Sequence, residues 1–339
     1  MKTVVIQDSF GLENLALITR PDPTPRAGQV IVQVKAASLN YRDLLMVQGF
    51  YNPKQPLPLV PCSDGAGEVV AVGDGVREVK PGDRVAGIFA QGWLAGRPQR
   101  DRLLVTTLGG PLDGMLTERI ALDASGVVPI PDHLSYEEAA TLPCAALTAW
   151  SALVRHGNVK AGDSVLVLGT GGVSIFALQF AKALGATVIV TSSSDEKLER
   201  AKALGADHGI NYAAEPKWSR AVRDFTGGEG VDHVVEVGGV GTLTQSMRCT
   251  RMGGSISLIG VLAGKESLLD LTPVLMQDIR IQGVIVGHRE SFLDMNRAIS
   301  ANQLRPVIDA TFPMADARAA FEHMAHGRHF GKIVVQLAE

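Results

Sequence analysis

A glycine-rich turn at residues 169–174 has the composition and spacing of a phosphate-binding loop. It follows an apolar run at residues 164–168 and precedes a helix-like segment that Gly185 ends, and a second β-branched run then completes a strand–turn–helix–strand unit. Glycines in such a turn let the backbone bend tightly, so the free amides of the helix N-terminus face a pyrophosphate. Ser174 replaces the third glycine of the usual pattern, where a small residue still permits helix–strand packing. The unit predicts a dinucleotide site at Gly169, Thr170, Gly171, Gly172 and Val173.

The end of the second strand indicates which dinucleotide is bound. A carboxylate there would hold the ribose hydroxyls of NAD, but this chain has Thr191, three serines and then Lys197. Hydroxyl groups and a cation suit a 2′-phosphate, which a carboxylate would repel. The sequence therefore favours NADPH over NADH, with Ser192, Ser193 and Lys197 as cofactor contacts. Because Ser193 and Glu196 also form a capping-box pattern, we expect Ser193 to cap the next helix and Ser192 and Lys197 to remain for the phosphate.

Composition excludes several classes of function. At 339 residues the chain is long enough for two domains, and its formal net charge of −3 without a long basic run argues against nucleic-acid binding. The beginning of the chain is polar too early for a signal peptide. The longest apolar stretch, residues 139–154, is interrupted by Pro143 and is too short to span a bilayer. Cys62, Cys144 and Cys249 are scattered, which fits a reducing cytoplasm rather than a disulfide framework.

Two kinds of secondary structure must position these groups. The first third alternates short strands with turns, which is typical of a β-barrel, and a helical segment at residues 41–48 interrupts it. From about residue 134, apolar strands alternate with helices, which predicts a parallel sheet. The predicted strands are residues 2–7, 30–35, 69–72, 84–89, 164–168, 187–191, 208–212, 231–237, 255–259, 279–286 and 332–337. Residues 291–300 and 314–326 are predicted helices, and residues 91–114 an irregular loop.

Several segments spread over the whole chain resemble the medium-chain dehydrogenase/reductase superfamily, which includes zinc alcohol dehydrogenases, quinone oxidoreductases and enoyl reductases. These segments are residues 38–43, 61–69, 79–85 and 142–150 and the glycine turn. The resemblance implies an α/β fold with a GroES-like β-barrel catalytic domain and a Rossmann, doubly wound parallel-sheet cofactor domain. The barrel domain would comprise residues 1–130 and 288–339 and the cofactor domain residues 131–287, with the active site in the cleft between them.

The same resemblance bears on zinc. Zinc alcohol dehydrogenases have a Cys at the position of Asn40, a His at the position of Ser63 and their third ligand at the position of Cys144. Only one of these ligands is present here, whereas a catalytic zinc needs three protein ligands. No cysteine occurs in residues 91–114, where the structural zinc lobe of the family falls. We therefore expect no zinc of either kind, and a buried packing role for Cys144.

Without zinc, hydrogen bonds must polarise the substrate while NADPH delivers hydride. Residues 48–51, Gln-Gly-Phe-Tyr, resemble the Q-G-x-Y segment of enoyl reductases and quinone oxidoreductases, in which the tyrosine is the proposed proton donor. This makes Tyr51 a catalytic candidate, with packing under the following turn as its alternative role. Asn40 is the second candidate, because its amide can position the nicotinamide ribose and donate to a substrate oxygen. Its alternative role is to cap the helix at residues 41–48, and the two roles are compatible.

Family positions imply further site residues. Thr148 would contact the nicotinamide carboxamide, or else bond to its own helix backbone. Tyr212 would flank the adenosine 2′-phosphate, and Phe89 and Trp93 would line the substrate pocket. The remaining cofactor-lining positions, for which an ordinary loop role is the alternative, are Gly238, Gly260, Val261 and Ile285.

Two other charged or metal-capable clusters have ordinary explanations. Arg97, Arg100 and Arg102 make one loop basic, which suits an anionic or CoA-like substrate but also a solvated surface. His323 and His326 share a helical face, but histidines there are usual C-terminal helix caps. We therefore expect no metal at the two histidines and a solvated surface at the three arginines.

Together these features predict a cytoplasmic, zinc-independent, NADPH-dependent oxidoreductase that reduces quinones or activated double bonds conjugated to a carbonyl. Tyr51 or solvent would supply the proton. An open sheet edge around residues 255–259 or 279–286, by analogy with the family, suggests a homodimer. One alternative is an alcohol or aldehyde dehydrogenase that keeps a distorted metal site through Cys144. The other is a non-catalytic NADPH-binding structural or sensor protein.

Overall fold

The computed structural model describes residues 1–266 and 268–337. The chain divides into two compact units, Met1–Leu147 with Gly287–Glu339 and Thr148–Val286. The first division lies later than the residue 130 suggested by the sequence. Residues 131–147 stay with the first unit because the helix at Tyr136–Ala139 packs on strands of that unit.

The elements follow in chain order. The strands are β1 (Lys2–Ile6), β2 (Leu15–Thr19), β3 (Gln29–Leu39), β4 (Asp64–Val72), β5 (Arg84–Gly87), β6 (Arg119–Asp123), β7 (Val127–Pro129), β8 (Ser164–Leu168), β9 (Thr187–Ser192), β10 (His208–Asn211), β11 (Val231–Glu236), β12 (Thr250–Leu258), β13 (Arg280–Gly283), β14 (Ile308–Pro313) and β15 (Lys332–Gln336). The α-helices are α1 (Tyr41–Val47), α2 (Arg100–Leu103), α3 (Tyr136–Ala139), α4 (Leu147–Trp150), α5 (Gly172–Ala183), α6 (Asp195–Ala203), α7 (Trp218–Phe225), α8 (Val240–Cys249), α9 (Thr272–Met276), α10 (Arg289–Ala301) and α11 (Ala317–Ala325). Leu142–Ala146 and Ser151–His156 are π-helical turns.

A seven-stranded sheet organises the first unit. Its order is β14-β15-β3-β4-β5-β7, and the seventh strand, β6, pairs with the N-terminal half of β3. The long strand β3 is apolar and buried over most of its length, so it is the centre of the core. The last strand, β15, returns to this sheet and pairs antiparallel with β3, with Ile333 opposite Leu39. This pairing brings the C-terminal residues to the junction between β3 and α1.

A six-stranded parallel sheet forms the second unit, in the order β10-β9-β8-β11-β12-β13. Strands β8, β9, β11 and β12 carry apolar, largely buried residues, as expected where helices cover both faces of a sheet. From β8 the chain adds β9 and β10 on one side of the sheet and then β11, β12 and β13 on the other. The boundary between β8 and β11 is therefore the switch point of a doubly wound fold. The α/β architecture predicted from the sequence is therefore confirmed.

Three local predictions differ from the structure. Strand β12 lies between β11 and β13, so of the two suggested sheet edges only the one at β13 is open. The region at residues 91–114 is mainly irregular but contains the short helix α2. The helix predicted at residues 314–326 begins as a 3₁₀ turn, Met314–Asp316, before α11. No helix among the described residues is both long and apolar enough to cross a membrane.

Candidate active site

Asn40 lies where β3 ends and α1 begins. Its backbone is extended, with φ −123° and ψ 154°, and it is the N-cap residue of α1. The Asp43 carboxylate accepts a hydrogen bond from the Asn40 backbone N–H at 2.9 Å, which fixes the junction. The Asn40 amide itself contacts two inward-facing groups: its Nδ2 donates to Ser63 Oγ at 3.3 Å, and its Oδ1 accepts from Lys332 Nζ at 2.6 Å. Asn40 therefore has the cap position suggested by the sequence, and its role toward the nicotinamide ribose or a substrate oxygen stays a prediction.

A second group of residues continues this network at the beginning of β4. Ser63 Oγ donates to Asp64 Oδ1 at 2.8 Å, and the other oxygen of Asp64 accepts from the Cys144 backbone N–H at 3.0 Å. Asp64 is fully buried. Burial raises the pKa of its carboxyl to about 6, although Lys332 and the hydrogen bonds from Asn40 and Ser63 act in the opposite direction. The carboxyl therefore titrates close to neutral pH, which is common at functional sites.

Arg42 connects this network to the two aromatic candidates. Its guanidinium pairs with Asp43 at 3.1 Å and donates to the carbonyl oxygens of Leu108, Gly109 and Gly110. It also lies 4.8 Å from the centroid of the Tyr51 ring and 5.6 Å from that of Phe89. A cation over an aromatic face is attractive at these distances, so Arg42 helps to hold Tyr51 near α1.

Tyr51 and Phe89 thus come together, but Trp93 does not join them. Tyr51 is 51% exposed. The Trp93 indole is buried, packs edge-on against His288 at 5.6 Å and donates to the Gly96 carbonyl. Its role as a substrate-pocket wall has no support in these contacts, because its ring is already covered within the first unit.

The three positions that carry zinc ligands in the alcohol dehydrogenases are close together here, yet their donor atoms fit a metal poorly. Asn40 Oδ1 already accepts a hydrogen bond from the Lys332 ammonium. An ammonium group beside the site would also repel a dication. Desolvation and the nearby Asp64 raise the pKa of the Cys144 thiol, which disfavours the thiolate that zinc needs. Across the part of the chain that the structure describes, no cluster of three or more His, Cys, Asp or Glu residues could hold a metal.

Cys144 and the histidine cluster differ in detail from what the sequence suggested. Cys144 is partly exposed rather than fully buried, and its backbone rather than its sulfur contacts Asp64. His323 bonds to Asp309 at 3.0 Å instead of capping a helix, while His326 does lie at the C-cap of α11.

In the second unit, the glycine turn has the geometry of a phosphate cradle. Gly169 has φ 73°, a left-handed conformation that favours glycine. Gly171 is the N-cap residue of α5 and provides no side chain to satisfy the first amides of this helix. A Cβ at Gly171 would meet no atom within 4 Å, so the space beside these amides is open. The side chain of Ser174 folds back onto the Leu168 carbonyl at 2.7 Å, which explains how serine replaces the third glycine.

The residues after β9 lack a carboxylate at the position that would bind ribose hydroxyls, as the sequence indicated. Ser192 is buried at the end of β9, and its Oγ accepts from the Ser194 backbone N–H at 3.2 Å. The helix cap is Ser194, whose Oγ accepts from Lys197 N–H. The prediction that Ser193 caps α6 is therefore wrong by one residue, and Ser193 is exposed. Tyr212 follows β10, is 43% exposed, and donates its backbone N–H to the Ser192 carbonyl.

The other predicted cofactor residues lie at strand ends or short helices of the second unit. Gly238 donates its N–H to the buried Glu236 carboxylate at 2.7 Å, and a Cβ at Gly260 would come within 2.5 Å of the Val237 carbonyl oxygen. Val261 and Ile285 are about half exposed. Thr148 is buried in α4.

Sequence reasoning did not identify three important residues of the first unit: Arg42, Asp64 and Lys332. Arg42 and Asp64 belong to the segments that carried the family resemblance. The sequence did not show that both side chains are buried, which is what distinguishes them from ordinary charged residues. Lys332 is the first residue of β15 and is buried there. A lysine that opens a buried strand is unusual, and this signal could have singled it out.

Comparison with known proteins places the chain in a family. A model of the alcohol dehydrogenase GroES-like domain matches residues 26–132, and a zinc-binding dehydrogenase model matches residues 172–301. The zinc-type alcohol dehydrogenase-like protein C1773.06c of Schizosaccharomyces pombe is 46% identical over 91% of both chains. An acryloyl-coenzyme A reductase of Metallosphaera sedula is 32% identical over 93% of this chain and 94% of its own.

Solved structures agree on the fold. A candidate alcohol dehydrogenase of Sinorhizobium meliloti 1021 superposes with a TM-score of 0.93 at 44% identity over 99% of both chains. An NAD-dependent alcohol dehydrogenase gives 0.92 at 36% identity over all of both chains. The 2-octenoyl-CoA carboxylase reductase CinF, in complex with NADP and 2-octenoyl-CoA, gives 0.86 at 27% identity over 99% of this chain and 87% of CinF. The chain therefore belongs to the medium-chain dehydrogenase/reductase superfamily and is similar along its whole length to zinc-type alcohol dehydrogenase-like oxidoreductases.

Proposed function

We propose that this oxidoreductase works without zinc, uses NADPH, and reduces quinones or carbon–carbon double bonds conjugated to a carbonyl. The observation that carries this proposal is the hydrogen-bonded network of Lys332, Asn40, Ser63 and Asp64, which includes two of the three positions that carry zinc ligands in the alcohol dehydrogenases. It offers hydrogen-bond donors to a substrate oxygen where a zinc site would offer a Lewis acid. The names of the acryloyl-coenzyme A reductase and of CinF support reduction of a conjugated double bond.

Different residues of the chain would carry out different parts of this reaction. When bound, NADPH supplies hydride to the electrophilic carbon. Asn40 Nδ2 carries two hydrogens, which face Ser63 and the Asp64 carboxylate, and a carbonyl oxygen of the substrate can compete for one of them as negative charge develops there. The Tyr51 hydroxyl can donate the proton that completes the reduction, with solvent as the alternative source.

The amides at the start of α5 and the hydroxyl-rich end of β9 suit the cofactor. The open space beside Gly171 can admit a pyrophosphate. Ser192, Ser193, Lys197 and Tyr212 surround the place where a 2′-phosphate would bind, and CinF is a relative that binds NADP. NADH is the competing choice, since one similar structure is an NAD-dependent enzyme.

The experiment is a spectrophotometric assay of NADPH oxidation by chelator-treated protein, with quinones, enones, acyl-CoA thioesters and aldehydes as separate acceptors and product identification. We expect turnover of a quinone or enone without added metal. Activity on aldehydes alone, restored only by zinc, would instead support an alcohol or aldehyde dehydrogenase, which the names of several relatives favour. Tight NADPH binding with no acceptor would support a non-catalytic role.

We also propose a homodimer formed at the open edge of the second unit's sheet. Strand β13 is an edge strand, and such strands present unpaired backbone groups to a partner. Large apolar side chains near it in sequence are strongly exposed, including Leu271 at 62%, Leu275 at 80% and Met276 at 67%. The three cysteines are free, which supports the cytoplasmic location inferred from the sequence.

A further inference from the structure

Four ionisable side chains are buried around Asn40. Arg42 and Lys332 are 9% and 3% exposed, and Asp43 and Asp64 are fully buried, so the set contains two cations and two anions. Burying charge is costly unless each group is paired and hydrogen-bonded. Arg42 and Asp43 pair directly, whereas Lys332 forms no ion pair within 4 Å with any residue the structure describes. Its presence therefore needs an explanation other than stability.

The contacts of Lys332 point to Asn40. Its Nζ donates to the Leu39 carbonyl and to Asn40 Oδ1, both at 2.6 Å. The antiparallel register of β15 and β3 places Ile333 opposite Leu39, so Lys332 stands beside the end of β3. A methionine or leucine would fill this buried position without a charge. What such a residue could not do is donate a hydrogen bond to the Asn40 oxygen.

This contact settles which end of the amide faces which neighbour. An ammonium group has donors only, so the atom of Asn40 that faces Lys332 must be oxygen. At the other end of the network, an ionised Asp64 has acceptors only, so Ser63 must donate to it and can accept from Asn40. The observed distances, 2.6, 3.3 and 2.8 Å from Lys332 through Asn40 and Ser63 to Asp64, fit this one direction.

We propose that Lys332 is a positioning residue: its ammonium locks the Asn40 amide so that Nδ2, rather than Oδ1, faces the carbonyl oxygen of the substrate. This inference rests on the proposed reductase function. The positive charge also polarises the amide and makes its N–H groups stronger donors. Without Lys332 the amide can turn by 180°, and its oxygen would then repel the developing negative charge on the substrate.

A double-mutant cycle tests this role. Lys332→Met removes the charge and keeps an unbranched stem, Lys332→Arg keeps donors, and Asn40→Ala removes the amide. We expect Lys332→Met to lower kcat for an enone by about 30-fold or more with little change in the NADPH KM, and Lys332→Arg to recover most of the loss. In the Asn40→Ala background, Lys332→Met should change kcat by less than about threefold. Equal losses in both backgrounds, or an unchanged kcat in Lys332→Met, would overturn the proposal.

A second measurement needs no turnover. In protein labelled with ¹⁵N-asparagine and without cofactor, the Asn40 side-chain NH₂ signals, assigned with Asn40→Ala, report the orientation of the amide. We expect their exchange with water to accelerate at least about tenfold in Lys332→Met, because the amide then rotates, and to stay slow in Lys332→Arg. Unchanged exchange in Lys332→Met would refute the positioning role. If Lys332→Met does not fold, Lys332→Leu replaces it in both experiments.

The two tests separate this inference from the proposed function. If wild-type protein reduces no quinone or enone, the function fails, while the exchange measurement still decides whether Lys332 orients Asn40. If wild-type protein is active and the cycle shows no coupling, the function stands and the positioning role fails.

Discussion

At the scale of single residues, Tyr51 is the group whose role is most directly testable. The Arg42 guanidinium lies over its ring, and the residue is half exposed. If Tyr51 is the general acid, Tyr51→Phe should lower kcat for an enone by about 10²-fold, because a positioned proton donor contributes about that much or more. Tyr41→Phe, which removes the hydroxyl of another half-exposed tyrosine, the first residue of α1, is the matched control. A Tyr51→Phe enzyme with nearly wild-type kcat would assign the proton to solvent.

The buried carboxyl of Asp64 predicts an unusual dependence of stability on pH. Its pKa is raised by burial from 3.8 to about 6, so between these values the folded state binds more protons than the unfolded state. Stability from this group is therefore complete below about pH 4 and is lost as the pH rises through about 6. A shift of about two pKa units corresponds to about 3 kcal/mol.

Urea unfolding between pH 4 and pH 8 measures this effect. The free energy of unfolding of wild-type protein should fall relative to that of Asp64→Asn by about 3 kcal/mol over this range. Asp74→Asn, which removes a charge from an exposed turn, controls for net charge. Parallel pH curves for wild type and Asp64→Asn would show that Asp64 ionises as easily in the fold as in the unfolded chain.

At the scale of elements, the end of β9 is expected to select the cofactor. Ser192→Asp should lower the ratio of kcat/KM for NADPH to that for NADH by at least about tenfold, since a repulsion of only 1.4 kcal/mol has this effect. Ser192→Ala is the control, because it removes the hydroxyl without adding charge and should change the ratio less. The buried Ser192 side chain also receives the Ser194 N–H, so thermal unfolding of each variant must be compared. An unchanged ratio in a folded Ser192→Asp protein would place the 2′-phosphate elsewhere or exclude it.

The elements themselves were largely predictable, because their signals are local. The glycine turn between two β-branched runs predicted β8, α5 and β9, and the structure has all three. The cap of α6 was misplaced because Ser193 and Ser194 are both capable hydroxyl residues, and only the backbone path decides between them. The edge position of β13 was ambiguous for a related reason: the order of strands in a sheet depends on tertiary packing, which the apolar pattern of a single strand does not encode.

The candidate site was only half predictable. Asn40 was recognisable from its motif, but its partner Lys332 lies 292 residues later in the chain. Their contact depends on the return of β15 to β3, and the burial of Lys332 follows from that pairing rather than from any local pattern. Trp93, for which a family position suggested a pocket wall, is buried and packs edge-on against His288, which its local sequence did not indicate.

At the scale of the whole molecule, the scaffold does not determine the substrate. Relatives with the same fold are named as alcohol dehydrogenases and as CoA-dependent reductases, so the choice between them rests on side chains. In the proposed zinc-independent site, Asn40 and Ser63, at two of the three zinc-ligand positions, belong to a hydrogen-bonded network with Lys332 and Asp64. Such a site needs no change in the course of β3, β4 or β15 and differs from a zinc site only in the groups that would face a substrate oxygen.

The second unit also predicts the assembly state. Leu275 in α9 is 80% exposed, which is costly for an isolated chain but favourable if a second copy covers it beside the open edge of β13. Wild-type protein should therefore elute as a dimer in size-exclusion chromatography with light scattering, and Leu275→Asp should shift it toward monomer because a buried carboxylate opposes association. Leu112→Asp, at an exposed position of the first unit, should leave the dimer intact. A monomeric wild type, or a Leu275→Asp dimer as tight as wild type, would show that this face is not the interface.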